Sequence, residues 1–240
     1  MEIDQMKQYF LEVNERMKYV IEKERDQIGA VAKMMFECTA QNRSIYFFGT
    51  GHSYIVGQEV FARAGGYAGF IPICMNELGM NHAYKSTLIE RTVEYAQVIL
   101  GLYHFRPGDM IIITSNSGRN NLIVELALAL KKMGVHIVAL TALSHSKNCM
   151  SRHKSGFRLF ELADIVLDNC SVYGDACITH SETTKTGSTS TVMNCFIIQL
   201  VVTAFVQIQI DKGIAPPVFR SSNMDGADEY NNALFKIYEP

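Results

Sequence analysis

Three things are missing from the 240 residues: an excess of basic charge, paired cysteine spacing and an uninterrupted apolar span. Lys and Arg number 22 against 24 Asp and Glu, a net charge of -2. That balance excludes the broad positive surface used against nucleic acid or acidic membranes. The six cysteines (Cys38, Cys74, Cys149, Cys170, Cys177, Cys195) show no CxxC spacing. Reduced, mostly buried thiols in a cytoplasmic protein are therefore expected. Cys195 to Ile210 is the longest apolar stretch, and Gln199, Thr203, Gln207 and Gln209 interrupt it, so it reads as a core helix rather than a membrane span. The first residues, MEIDQMKQYF, are acidic and amphipathic, unlike a signal peptide. Tryptophan is also absent, which decides nothing.

What is present is an alternation of buried strands and helices, 48% hydrophobic in all. Met6, Phe10, Val13, Met17 and Val20 recur at helical spacing, and Ile28, Val31, Met35 and Phe36 resume the pattern after a lapse at residues 22–26. We read two helices with a joint near Glu24; a single bent helix is the alternative. The apolar runs at 45–48 and 110–113 read as strands buried on both faces, and those at 69–73, 135–141 and 165–167 as further strands. Helices are expected over 54–64, 88–102, 122–133 and 189–210, with a last one from about Ala227. Residues 74–86, 144–156 and 171–187 read as irregular or looped. The pattern predicts an α/β fold with a parallel sheet covered on both sides. One domain is expected: a helical arm (1–38), an α/β core (39–211) and a C-terminal extension (212–240).

Two strand exits carry polar glycine turns. Thr50-Gly51-His52-Ser53 follows the first strand, and Ser115-Asn116-Ser117-Gly118-Arg119-Asn120 follows the strand at 110–113. Ligands bind at this edge of open α/β sheets, and a helix N-terminus beyond such a turn favours anions. The phosphate loop GxxxxGK[ST] is absent and GTGHS lacks the third glycine of GxGxxG, so an anionic small molecule is expected rather than a nucleotide.

GTGHS, SNSGRN and the GSTST that heads the long C-terminal helix, in that order, resemble the landmarks of SIS (sugar isomerase) domains. The resemblance runs from Thr39 to Asp211 and is nearest to single-domain members related to phosphoheptose isomerases. It implies a three-layer sandwich with a five-stranded parallel sheet, a homo-oligomer (dimer or tetramer) with shared sites, and sugar phosphates held by Thr50, Ser53, Ser115, Ser117, Asn120, Ser188 and Thr189. Two departures matter. Arg119-Asn120-Asn121 follows the glycine where SxSGxT is common, adding a guanidinium fork for an oxyanion. The long helix offers Asn194 and Gln199 but no histidine, so the acid–base set of phosphoheptose isomerases does not transfer.

An aldose–ketose isomerase moves a proton between adjacent carbons and needs a base there and a second group for the oxygen protons. Glu59 is our candidate base, with an ion pair to Arg63 as its structural alternative. His82 is the candidate acid; Glu90 and Glu77 are weaker rivals. His52 can donate to the anion or cap the helix, and Arg119 can bind it or pair with Glu125. His145 and His153, with Lys147, Arg152 and Lys154, make a basic loop that is either solvated or a lid. Asp225, Asp228 and Glu229 read as acids at a helix N-terminus. No obligatory metal and no cofactor are expected. The sequence thus points to an isomerase for a small phosphorylated or sulfonated sugar, without nucleic-acid or membrane partners. A non-catalytic sugar-phosphate-binding regulator is the alternative, and an amino-transferring member a third possibility.

Overall fold

The computed structural model describes residues 2–238. Five strands form one parallel sheet: β1 (Ile45–Gly49), β2 (Phe70–Pro72), β3 (Met110–Thr114), β4 (His136–Thr141) and β5 (Ile165–Asp168), in the order β2-β1-β3-β4-β5. Every residue of β1 and β3 is buried, which is why these runs are continuously apolar instead of alternating. Ile45, Phe47, Met110 and Ile112 face one layer, and Tyr46, Phe48, Ile111 and Ile113 the other.

The helices are α1 (Glu2–Lys23), α2 (Arg25–Ala40), α3 (Ile55–Val60), α4 (Ala83–Ile89), α5 (Tyr95–Leu102), α6 (Asn121–Lys132), α7 (Leu143–Ser146), α8 (Leu159–Leu162), α9 (Ser190–Asp211) and α10 (Ala227–Tyr238). On one face α2, α3 and α9 pack through Val31, Met35, Val56, Val60, Ile197 and Phe205. On the other, α5, α6 and α8 pack through Ile99, Leu126, Leu130 and Leu159. The α9 segment is long and apolar enough to cross a membrane by length and composition alone, yet its Met193, Ile197, Val201 and Phe205 are fully buried in the core.

The joint between the first helices falls at Glu24, and the hydrogen-bond ladder continues through it (Glu24 N to Val20 O, 2.9 Å; Ile28 N to Glu24 O, 2.8 Å). Glu24 Oε2 also accepts the Asp168 N–H at 3.2 Å, which pins the bend to the end of β5. Beyond the joint, α2 belongs to the packed core rather than to a separate arm.

Three expectations about elements differ from the structure. The helix after the first turn stops at Val60 instead of Ala64, because Phe61 is extended and Ala62 takes a left-handed conformation (φ 48). The chain turns there to meet the C-terminal segment, where Gly65 N donates to Phe219 O at 3.0 Å. The helix expected over 88–102 is two helices, separated where Glu90 and Arg91 bind the start of α6. Leu122 N donates to Glu90 O (3.1 Å) and Asn121 Nδ2 to Arg91 O (2.7 Å). Finally, the expected loop 171–187 contains most of an antiparallel hairpin, β6 (Ala176–Thr179) with β7 (Lys185–Ser188).

Asp109, fully buried just before β3, accepts the N–H groups of Ser44 (2.9 Å) and Arg106 (2.7 Å). It ties the entry of β1 to that of β3. Asp109→Ala should cost about 3 kcal/mol, since two donors lose a charged acceptor in the interior. Urea unfolding measures this, and a loss below about 1 kcal/mol would contradict the assignment.

Candidate functional site

The strand order reverses between β1 and β3. Chain connections leave these two strand ends in opposite directions, which opens a crevice at their C-terminal edge. Both polar turns lie there. The first leaves β1 at Gly49, where a Cβ would meet Ser53 O at 2.4 Å, so only glycine allows so close a return. Thr50 is extended, and a 3-10 turn over Gly51–Tyr54 feeds α3. A cleft of about 250 Å³ adjoins it, lined among others by Gly51, His52, Tyr54, Gln58, Asn76 and Met80. His52 is exposed there.

The second turn is held from within. Gly118 has φ 57, and a Cβ would stand 3.0 Å from the Leu159 Cβ. Its N–H donates to Ser115 Oγ (3.2 Å) and its carbonyl accepts Leu159 N–H (2.8 Å). Ser146 Oγ donates to Ser117 O at 2.8 Å. Asn116 Oδ1 accepts from Asn169 Nδ2 (2.6 Å), which also donates to Asn194 Oδ1 (2.8 Å). Asn169 and Asn194 are buried, so Asn116 serves to anchor the turn to β5 and α9. Among the described residues the Ser117 hydroxyl has no protein partner.

Glu90 joins the two turns. Thr50 Oγ1 donates to its Oε2 at 2.9 Å and Asn120 Nδ2 to its Oε1 at 2.8 Å. Asn120 Oδ1 in turn accepts from Arg152 Nη1 at 2.7 Å. Burial pushes the Glu90 carboxyl above the usual carboxylate range, opposed by the Thr50 hydroxyl and by the charges of Arg152 and Arg91. A carboxylate with a raised pKa in a polar crevice is suited to accept a proton near neutral pH.

Arg119 follows with an unsatisfied guanidinium. Its Nε is buried without a partner, and it makes no ion pair among the described residues. Glu125, its sequence-level alternative partner, binds His153 Nε2 at 2.8 Å instead. With Arg152 on Asn120 and its N–H on Arg119 O (2.9 Å), the basic loop is anchored to the second turn rather than free as a lid.

The third landmark is already occupied. The Asp175 carboxylate accepts the N–H groups of Thr189 (2.9 Å) and Ser190 (2.7 Å) and the Ser190 hydroxyl (2.7 Å). The donors at the head of α9 thus hold an internal anion. Ser188 is exposed at the end of β7, and its carbonyl accepts the Tyr9 hydroxyl at 2.9 Å.

Glu59 lies on α3 with its Oε2 at 2.5 Å from Arg63 Nη1, and Gln199 Nε2 of α9 donates to its Oε1 at 3.0 Å. His82 is exposed at the end of another 3-10 turn, Met80–His82. Glu77 accepts a short hydrogen bond from the Tyr95 hydroxyl. No hydrogen bond or ion pair joins Glu59, His82 or Glu77 to either polar turn among the described residues. The structure therefore joins Thr50 and Asn120 through Glu90, with Ser115, Ser117 and Arg119 on the same turn as Asn120. Glu90 carries little weight in a reading of the sequence, where it passes for a solvated helix residue. Among the described residues no group of three His, Cys, Asp or Glu side chains is placed to hold a metal ion.

Comparison with known proteins agrees with this architecture. A family model described as SIS domain matches residues 8–142. A UPF0309 protein of Geobacillus thermodenitrificans is 38% identical over 234 residues, covering 97% of this chain and 94% of that protein. Among solved structures, a phosphoheptose isomerase from Francisella tularensis superposes with a TM-score of 0.58 at 14% identity, covering 86% of this chain and 99% of that one. A phosphoheptose isomerase from Neisseria gonorrhoeae gives a TM-score of 0.56 at 16% identity, covering 88% and 100%. With the motifs in order, the five-stranded parallel sheet and these matches, the chain belongs to the SIS domain family.

Proposed function

We propose that this protein is a cytoplasmic aldose–ketose isomerase for a small sugar bearing a terminal phosphate or sulfonate. The observation that carries the reading is Glu90, whose carboxylate spans Thr50 of the first turn and Asn120 of the second. In this reading the free hydroxyl of Ser117, the Ser115 turn and the Arg119 guanidinium hold the terminal anion. Glu90 then stands over the reacting carbons, takes the C2 proton and returns it to C1 through an enediol. Thr50 and Asn120 each donate one hydrogen bond to Glu90, which fixes the carboxylate while leaving lone pairs for the carbon proton. Glu59, paired with Arg63 and Gln199, has the role of tying α3 to α9. The two phosphoheptose isomerases that share the fold support both the reaction class and a phosphorylated sugar as the ligand class.

Met6 and Phe10 of α1 are 72% and 64% exposed, which supports a second copy covering this stripe. Screening phosphorylated and sulfonated aldoses by NMR tests the proposal. Conversion of at least one to its ketose is expected. Micromolar binding without conversion of any of them would instead favour a sugar-phosphate-binding regulator.

A further inference from the structure

An ionised carboxylate can only accept hydrogen bonds, and a guanidinium can only donate them. Asn120 sits between one of each. Its Nδ2 donates to Glu90 Oε1 at 2.8 Å, and its Oδ1 accepts from Arg152 Nη1 at 2.7 Å. The amide fits there in one orientation alone, because a flip would set its NH₂ against the guanidinium and its oxygen against the carboxylate. Arg152 therefore fixes which end of Asn120 meets Glu90.

Arg152 is exposed, with a long side chain, so the contact depends on how its backbone is held. Its N–H donates to Arg119 O at 2.9 Å, which joins it to the second turn. The next residue, His153, is buried, with Nε2 on Glu125 Oε2 of α6 at 2.8 Å and Nδ1 on Ser155 Oγ at 2.8 Å. On the other side, Ser151 Oγ accepts His153 N–H (3.0 Å) and donates to Phe157 O (2.7 Å). A backbone tied in this way leaves only side-chain freedom to be lost when the guanidinium meets Asn120.

Charge adds to orientation. Glu90 is faced by the Thr50 hydroxyl from the turn after β1, by Asn120 at the head of α6, by Arg152 from the loop after α7 and by its chain neighbour Arg91. Burial raises its pKa; the Thr50 hydroxyl opposes this most, followed by the charge of Arg152, that of Arg91 and the Asn120 hydrogen bond. Of these groups, Arg152 acts both by its charge and through the amide that it orients.

We propose that Arg152 is a positioning residue for the isomerisation: through Asn120 it presents the Glu90 carboxylate, charged and correctly turned, to the carbon proton. This rests on the isomerase reading above. Arg152 acts through Asn120 and not on the sugar.

Arg152→Met removes the charge and the donor while keeping most of the stem. At neutral pH it is expected to lower kcat about 10–10²-fold, the scale of a small misplacement of a reacting group. KM should change little, as for a group that serves the transition state rather than binding. A nearby positive charge favours the carboxylate, so its loss raises the Glu90 pKa. Activity needs Glu90 unprotonated, and the acid limb of kcat should therefore move to higher pH. The contact is a single Nη1 bond rather than a two-pronged fork, so Arg152→Lys, which keeps a charge and a donor, should bring the limb back toward its wild-type position. The same shift can be read without turnover by NMR of the Glu90 carboxyl carbon, identified by its loss in Glu90→Gln. An unmoved carboxyl titration in Arg152→Met, or a raised KM with kcat unchanged, would overturn the positioning role alone; the second result would make Arg152 a ligand of the anion. Absence of turnover by the wild type on every screened sugar would overturn the isomerase reading, and the positioning role with it.

Discussion

Glu90→Gln is expected to lower kcat by about 10²–10⁴-fold, the usual effect of losing one positioned acid–base group. Gln keeps the shape of the side chain and can still meet Thr50 and Asn120, so anion binding and thermal stability should change little. Wild-type activity should fall as pH drops through the Glu90 pKa. Because burial raises that pKa, the fall begins above the ordinary carboxylate range. The control is Glu59→Gln, whose side chain is engaged by Arg63 and Gln199; it should retain activity within about threefold, a change small beside the acid–base effect. Initial rates on the two purified variants decide the matter. An inactive Glu59→Gln beside an active Glu90→Gln would move the base to α3.

Arg119→Ala should raise the dissociation constant of the anionic sugar by tenfold or more. A hydrogen bond to a charged group contributes about 1.5–3 kcal/mol, and roughly 1.4 kcal/mol corresponds to a factor of ten. Arg119 already stands without a counter-charge among the described residues, so the free protein loses no ion pair on substitution. Uncharged analogues of the same sugar should bind equally to both proteins. Burial and then the Arg119 charge hold the His145 imidazole below its ordinary pKa. With that charge gone, the ring should titrate closer to its ordinary value. Calorimetry with phosphate, sulfate and the sugar ligands reads the first effect, and NMR of the imidazole the second. Equal affinity for every anion would leave Arg119 a structural residue.

How much of this was legible in the sequence depended on the range of the contacts. Ile45–Phe48 and Met110–Ile113 are apolar because both faces of the sheet are covered, and that burial is written into consecutive residues. The two polar turns were legible for the same reason, since strand, glycine and helix start are neighbours in the chain. Glu59 with Arg63 was also a local alternative, and the geometry adopts it. Glu90 was different. Its partners Thr50 and Asn120 lie 40 and 30 residues away, and its own neighbours continue a helical pattern. Only the break between α4 and α5 turns that carboxylate inward. Asp175 was equally silent, because its partners lie across a hairpin that the polar stretch 171–187 did not announce.

The role of Glu90 as carbon base is tested most directly by following the C2 proton. An aldose phosphate or sulfonate that binds the protein should be incubated with it in deuterated water and observed by proton NMR. Loss of the C2 signal together with appearance of the ketose is predicted, both abolished in Glu90→Gln. A ligand that binds the wild type tightly, yet keeps its C2 proton through many hours at stoichiometric protein, would contradict that role.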